Sequence, residues 1–190
     1  MNPVTPWMHD RPVRNMNPGD LRPRSGQPEW PGQDAVDNGP GGPFAIFVTD
    51  ADGWAALGLW CLDARYLRGM RTARAMIEIF APPSENDTES YIAGVELRMG
   101  KGELDLSNNA LLEQLCKAIA HWEDYRAAWD EAAIVAGIRL CSARWPGYRA
   151  TRLEQRGTSQ PSSPVHPPAE NPAATETADQ LNQDEINKLA

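Results

Sequence analysis

The stretch SNNALLEQLCKAIAHWEDYR, residues 107–126, contains the clearest periodic pattern in this sequence. Its apolar side chains recur at about 100° per residue and would share one face of a helix; they are Leu111, Leu112, Leu115, Cys116, Ile119 and Trp122. Lys117, His121 and Asp124 fall on the opposite, polar face. Because serine is a favoured N-cap residue, we predict a helix that Ser107 caps and that ends at about Tyr125 or Arg126.

The sequence around this helix predicts an α+β domain that is mostly helical. The stretch FAIFV, Phe44–Val48, is rich in aromatic and β-branched residues and predicts one short strand. Asn86 and Glu89 have the spacing of a capping box, and Pro82 and Pro83 would end the helix before them. Together with the other start and stop signals, these features predict four more helices: from Asp50 or Asp52 to about Tyr66, from Thr72 to Phe80, from Asn86 or Asp87 to Gly100, and from Asp130 to Ala143.

Proline marks the limits of this domain. The chain has 190 residues and 17 prolines, but between residues 44 and 145 only Pro82 and Pro83 occur. We predict an N-terminal extension at residues 1–10, a domain at residues 11–150 and a tail at residues 151–190. From about Gly157 the tail is rich in Ser, Pro, Thr, Ala and acidic residues, which predicts disorder. Residues 15–43 are predicted to form an ordered but irregular loop region on the core.

The charge and cysteine content exclude several classes of function. The net charge is −8 and the pI is about 4.9, so we expect no nucleic-acid partner and no anionic membrane surface. No apolar run approaches the ~20 residues of a membrane span, and no secretory signal is expected. Cys61, Cys116 and Cys141 are expected to be reduced core residues. No metal-ligand spacing and no phosphate-binding loop occurs, so we expect no metal and no cofactor.

Glu123 and Glu85 are the candidate catalytic carboxylates. On the helical wheel Glu123 lies at the border of the apolar face, where partial burial would raise its pKa and suit it to act as a general acid. The alternative is a border residue that reaches out to water. Glu85 lies in the loop before the third predicted helix, where it could instead be an anion that complements the helix dipole.

Aromatic and basic residues supply candidate ligand contacts. Trp30 could stack on a sugar ring and Arg22 could donate to hydroxyl or carboxylate groups, although Trp30 could equally pack its loop on the core. Tyr91 is typical of a core tyrosine whose hydroxyl reaches the rim of a groove.

Several segments together resemble a known family. The chain reads NMNPGDLR at 15–22, WPG at 30–32, FAIF at 44–47, RGMRT at 68–72 and FAPPSENDTESYI at 80–92. These segments resemble the lysozyme-like muralytic family of bacteriophage virion and prophage structural proteins. Its pattern runs N-N-P-G-N-[IL]-R, W-x-G, F-x-x-F, R-G-[LI]-x-T-[VI], W-A-P-P-x-E-N-D-T-x-x-Y-[IV] and finally H-E-N-G. The resemblance covers roughly residues 11–143, and the APPSENDT run is its most specific part.

The chain departs from the family pattern at several positions. The H-E-N-G element appears as WEDY, residues 122–125, so Glu123 is kept and its three neighbours differ. Met16 and Asp20 also differ from the pattern. The H-E-N-G helix end looks like the E-S-G segment of lytic transglycosylases and glucosaminidases, where it precedes an N-x-x-G-I-[KR] loop. Here the order is reversed, which a circular permutation of the lysozyme-like fold would explain.

The resemblance implies a peptidoglycan-degrading protein of the phage virion that opens the cell wall locally during genome delivery. It implies that Glu123 is the catalytic acid and that Asn17, Arg22, Trp30 and Tyr91 line the groove for the glycan strand. Hydrolysis would need a second carboxylate, for which Glu85, Asp87 and Asp20 are the candidates. A lytic transglycosylase uses the substrate's own 6-hydroxyl instead, and the single well-placed Glu123 slightly favours that route.

Two other functions remain open. The altered residues around Glu123 are compatible with a virion structural or interaction protein that keeps the lysozyme-like fold without activity. Tyr125 in place of the helix-ending glycine should change the backbone there, and Asp124 adds a like charge that would either raise the pKa of Glu123 or mark a solvated surface. A carbohydrate-binding module is the weaker alternative. Whether the protein is a muralytic enzyme or an inactive virion protein, the tail could dock on other virion proteins.

The geometry around Glu123 discriminates between these functions. An enzyme requires Glu123 to face a cleft that also contains Trp30 or Tyr91. If Glu123 pointed into open solvent while Tyr125 filled the groove, the enzyme hypothesis would fail.

Overall fold

The computed structural model describes residues 11–158. The chain divides into two units, Met1–Glu154 and Gln155–Ala190, and of the second unit only the last helical residues are described. The predicted N-terminal extension and most of the predicted tail lie outside the described residues. The elements in chain order are α1 (Arg11–Arg14), β1 (Gln33–Asp37), β2 (Phe44–Phe47), α2 (Asp50–Leu62) with a π-helical turn (Asp63–Leu67), α3 (Ala73–Phe80), α4 (Thr88–Met99), α5 (Asn109–Glu123) and α6 (Glu131–Thr158).

The predicted class, α+β and mostly helical, is confirmed for the described part of the chain. Its small sheet consists of β1 and β2, which pair antiparallel with Val36 opposite Ala45 and Asp37 opposite Phe44. β2 coincides with the predicted strand, whereas β1 lies in the region predicted to be irregular. The sequence of β1, QDAVD, lacks an apolar alternation, because only its pairing with β2 makes it a strand.

Helix α2 forms the centre of the core. Every residue from Gly53 to Leu62 is buried, as expected for a helix that is apolar on all sides. Its N-cap is Thr49, whose hydroxyl accepts a hydrogen bond of 3.1 Å from the backbone N–H of Asp52. The predicted caps, Asp50 and Asp52, lie one to three residues further on and supply negative charge to the first turn.

The ends of the next three helices agree with the prediction within one or two residues. Thr72 caps α3, which ends at Phe80 before the two prolines. Asp87, rather than Asn86, caps α4 by accepting a hydrogen bond from the backbone N–H of Ser90. The predicted capping box is wrong, because the carboxylate of Glu89 accepts from Arg74. Similarly, α5 is capped by Asn108 and not by Ser107.

Helix α6 is longer than predicted. It continues through Pro146 to Thr158, past both the predicted helix end at Ala143 and the predicted domain limit at residue 150. A proline inside a helix costs about 3 kcal/mol, and ion pairs on both sides of it hold the helix against the core. Arg144 pairs with Asp52 at 2.8 Å, and Arg152 pairs with the buried Asp63 at 3.0 Å.

Candidate active site

A cleft of about 470 Å³ lies beside the C-terminal end of α5. Three carboxyl groups line it, those of Glu123, Asp20 and Glu85. The guanidinium groups of Arg11 and Arg22 face the same space. The remaining lining comes from neutral residues: Gly41, Phe44, Phe80, Ala81 and Asn86. We refer to this space as the Glu123 cleft.

Glu123 is the last residue of α5 and is half-buried in this cleft. Burial raises the pKa of its carboxyl group to about 8, and the negative charge of Asp20 adds to the effect. A hydrogen bond from Tyr91 and the positive charge of Arg11 act in the opposite direction. The side chain is therefore mostly protonated at neutral pH and can donate a proton to a bound molecule.

Tyr91 holds Glu123 from the core side. Its hydroxyl donates a hydrogen bond of 2.8 Å to Oε1 of Glu123, and its ring stacks on Trp122 with 5.1 Å between centroids. The side chain is fully buried and does not line the cleft; the predicted substrate contact of Tyr91 stays a prediction. Tyr91 positions the carboxyl group, because a buried hydroxyl with a fixed partner restricts the rotamers of that partner.

The helix end after Glu123 does not need a glycine. Asp124 ends α5 in an extended conformation (φ −148°, ψ 96°), and its side chain accepts a hydrogen bond from the backbone N–H of Arg126. Tyr125 is 64% exposed and does not line the cleft. The like charge that raises the pKa of Glu123 comes from Asp20 and not from Asp124, which is itself buried.

Asp20 and Arg11 form a buried pair on the wall of the cleft. Arg11 donates from Nε and Nη2 to the Asp20 carboxylate, and its guanidinium carbon lies 3.7 Å from the centroid of the Phe44 ring. Burial raises the pKa of Asp20, although Arg11 opposes this. Arg11 is a site residue that the sequence analysis missed, because its partner lies in a loop that only the fold brings beside α1.

Glu85 lies on the rim of the Glu123 cleft. Its Oε2 accepts a hydrogen bond of 2.9 Å from Nη2 of Arg22, and both side chains are about half exposed. The fold thus brings together Glu85 and Arg22, two candidates named separately from the sequence, in the same cleft as Glu123. Asp87, the third predicted source of a second carboxylate, is engaged as the N-cap of α4 and does not line the cleft.

Asn17 orders the loop that carries Asp20. Its Nδ2 donates to the carbonyl oxygens of Leu21 and Ala45, and its Oδ1 accepts from the N–H of Leu21. The side chain is fully buried. The structure therefore gives Asn17 a structural role, because its carboxamide is used by the backbone around it; its predicted contact with a glycan stays a prediction.

Trp30 lines a second cavity, of about 330 Å³, that shares Asp20, Arg22 and Phe80 with the Glu123 cleft. Its indole N–H donates a hydrogen bond of 2.9 Å to the carbonyl oxygen of Arg22. Its ring stacks on Tyr148, at 6.3 Å between centroids. The shared wall residues make this cavity the neighbour of the Glu123 cleft. Neither Trp30 nor Tyr91 lines the Glu123 cleft itself. The structure thus places Trp30 in the adjacent cavity and Tyr91 behind Glu123, while Tyr125 does not fill the cleft.

The sequence matches no protein-family model and no curated protein. Within residues 11–158 there is no group of three or more His, Cys, Asp or Glu side chains that could hold a metal ion. No helix in that part of the chain combines the length and apolarity that a membrane crossing requires.

Proposed function

We propose that this chain is a peptidoglycan-cleaving protein with a lysozyme-like, circularly permuted fold, and that Glu123 is its catalytic acid. The observation that carries the proposal is the buried carboxyl group of Glu123, with a pKa of about 8, on the wall of an open cleft. The resemblance of residues 11–143 to phage muralytic proteins supplies the substrate and the association with a virion. It also supplies the role, local opening of the cell wall during genome delivery.

Cleavage of a glycosidic bond begins with protonation of the bridging oxygen, while positive charge grows on the sugar ring. Glu123 can supply that proton because burial keeps its carboxyl group protonated at neutral pH. The hydrogen bond from Tyr91 engages Oε1, so we assign the proton donation to Oε2. Proton transfer turns Glu123 into a carboxylate, and the Tyr91 hydroxyl stabilises that charge.

For the second step, the ion pairs in the cleft favour the transglycosylase route over hydrolysis. Each of the other carboxyl groups of the cleft is held in an ion pair, Asp20 with Arg11 and Glu85 with Arg22. Glu123 alone among the three has no ion-pair partner within the described residues. In the favoured route the ionised Glu123 takes a proton from the 6-hydroxyl of the substrate, which attacks the sugar carbon and forms an anhydro ring.

The test compares wild type, Glu123→Gln and Glu78→Gln on purified Gram-negative peptidoglycan, with mass spectrometry of the released fragments. Glu78 is a surface glutamate on α3 outside the cleft. We expect wild type and Glu78→Gln to release fragments with anhydro-muramyl ends and Glu123→Gln to release none. Reducing ends would instead assign hydrolysis, with Glu85 or Asp20 as the second carboxylate.

Two results would overturn the proposal. Equal release by wild type and Glu123→Gln would move the acid to another residue, with Glu85 examined next. No release by any folded protein would favour the second function, a virion structural or interaction protein without activity. The substitutions around Glu123, WEDY in place of H-E-N-G, are the observation that favours that alternative.

A further inference from the structure

The cavity that Trp30 lines contains an unusual concentration of positive charge for a chain with a net charge of −8. Four guanidinium groups face it, those of Arg22, Arg24, Arg68 and Arg152. We refer to this cavity as the arginine pocket. It shares Asp20, Arg22 and Phe80 with the Glu123 cleft, so a substituent of a chain molecule bound across Glu123 could reach it.

Carboxylates within the protein compensate three of these four cations. Arg22 pairs with Glu85. Arg68 and Arg152 pair with the two oxygens of the buried Asp63, at 2.6 Å and 3.0 Å. For Arg24, no carboxylate of the described residues lies within ion-pair distance.

Arg24 is instead held by neutral groups. Its guanidinium carbon lies 5.0 Å from the centroid of the Trp30 ring and 5.1 Å from that of Tyr148. Nη2 donates a hydrogen bond of 2.7 Å to Oε1 of Gln27. Burial lowers the pKa of Arg24; Tyr148 and Asp63 oppose this decrease, whereas the nearby Arg152 and Arg68 add to it. The aromatic rings thus orient a cation whose charge remains uncompensated.

The side-chain oxygen Oε1 of Gln27 marks the position that an anion would take. It accepts hydrogen bonds from both Arg24 and Arg152, so one neutral amide oxygen bridges two guanidinium groups. Gln27 is exposed and its side chain can move aside. A carboxylate in the same position would accept the same bonds and would add charge, and charge-assisted hydrogen bonds are roughly twice as strong as neutral ones.

We propose that the arginine pocket binds a carboxylate of the stem peptide on a murein glycan strand, so that the protein prefers peptide-bearing strands to bare ones. This inference rests on the proposed function, because it takes the strand in the Glu123 cleft to be peptidoglycan. An uncharged sugar polymer offers no negative charge to Arg24. A strand whose sugars carry peptides offers carboxylates beside the cleaved bond.

The test measures binding to the inactive Glu123→Gln protein, so that the ligands are not consumed. The two probes are tetra-N-acetylglucosamine, which is neutral, and a peptidoglycan tetrasaccharide that carries its stem peptides. We expect calorimetry at low salt to give about tenfold tighter binding of the peptide-bearing probe. The preference should shrink as salt is added, because ion pairing at a half-exposed site is screened.

Three further variants, each combined with Glu123→Gln, locate the effect. Arg24→Gln removes the uncompensated charge, and Gln27→Glu places an internal carboxylate between Arg24 and Arg152. Both should reduce the preference to less than about twofold, chiefly by weakening the binding of the peptide-bearing probe. Gln27→Glu keeps the Arg24 contacts with Trp30 and Tyr148, so it serves even if Arg24→Gln fails to fold. Arg98→Gln removes a charge outside both cavities and should keep the preference.

Equal affinity for both probes would overturn the inference, as would a preference that survives in folded Gln27→Glu. Failure to bind either probe would overturn it as well. The proposed function is judged separately, by fragment release from wild type. Release without a binding preference would leave the function standing and remove only the arginine pocket. A preference that Gln27→Glu abolishes, without any release, would keep the pocket as a binding site and remove the catalytic role of Glu123.

Discussion

The hydroxyl of Tyr91 lies 2.8 Å from Oε1 of Glu123 and donates a hydrogen bond to it. The two residues lie on different helices, α4 and α5. Tyr91 is fully buried, whereas Glu123 keeps access to the cleft. A core residue therefore fixes the orientation of a carboxyl group at the surface. This pair connects the packing of the two helices to the chemistry of the cleft.

The variant Tyr91→Phe should raise the pKa of Glu123 further. The hydroxyl of Tyr91 stabilises the charged carboxylate, so its loss favours the protonated form. We expect the basic limb of the pH profile of fragment release to move to higher pH, and the free energy of unfolding to fall by about 1 kcal/mol. A profile that stays in place would contradict the assignment. Tyr125→Phe is the control, because Tyr125 is exposed beside the cleft.

The pKa of Glu123 also predicts how stability depends on pH. In the unfolded chain this carboxyl has a pKa near its ordinary value of 4.5, and in the folded protein near 8. Between these values the folded state binds more protons than the unfolded state, so the stability from this group is present below about pH 4.5 and is lost as the pH rises through 8.

Urea denaturation of wild type and Glu123→Gln at pH 5, 6.5 and 8.5 measures this linkage. We expect wild type to lose on the order of a few kcal/mol relative to Glu123→Gln over that range. A constant difference between the two proteins would show that the pKa of Glu123 is not raised in the folded state.

Gly32→Ala should destabilise the protein by about 2 kcal/mol. Gly32 has a φ of +88°, and a Cβ there would lie 2.4 Å from Oδ1 of Asp52. Asp52 is fixed by Arg144 on α6, so the clash cannot relax easily. Gly102→Ala is the matched control, because an added Cβ there meets nothing within 4 Å. Chemical denaturation should place Gly102→Ala within about 0.5 kcal/mol of wild type.

Asp63→Asn should cost about 3 kcal/mol of unfolding free energy, because Arg68 and Arg152 would lose their shared charge partner. Asp63 is buried, and its two oxygens accept bonds from the two arginines. Asp34→Asn, at an exposed position of β1, is the control and should change stability little. Thermal or urea unfolding checks both variants, and equal losses in the two would contradict a special role for Asp63.

The sequence predicted most of the helices because their signals are local. The apolar face of α5 and the caps and prolines around α3 and α4 depend on neighbours a few residues apart. The sequence did not predict β1, whose polar residues become a strand by pairing with β2. The sequence also predicted an end of α6 at Ala143, too early in the chain. The ion pairs of Arg144 and Arg152 hold this helix on both sides of Pro146, and they join residues far apart in the chain.

In the candidate site, too, the sequence predicted local features and missed contacts between residues far apart in the chain. The position of Glu123 at the border of an apolar helix face was visible in the sequence, since helical periodicity fixes which residues share a face. The tertiary structure decided what surrounds that carboxyl: Tyr91 behind it, the Arg11–Asp20 pair on the wall, and an arginine pocket beside the cleft. Those contacts join residues that lie far apart in the chain. Burial and electrostatic fields depend on distance in space, and a one-dimensional pattern does not contain that distance.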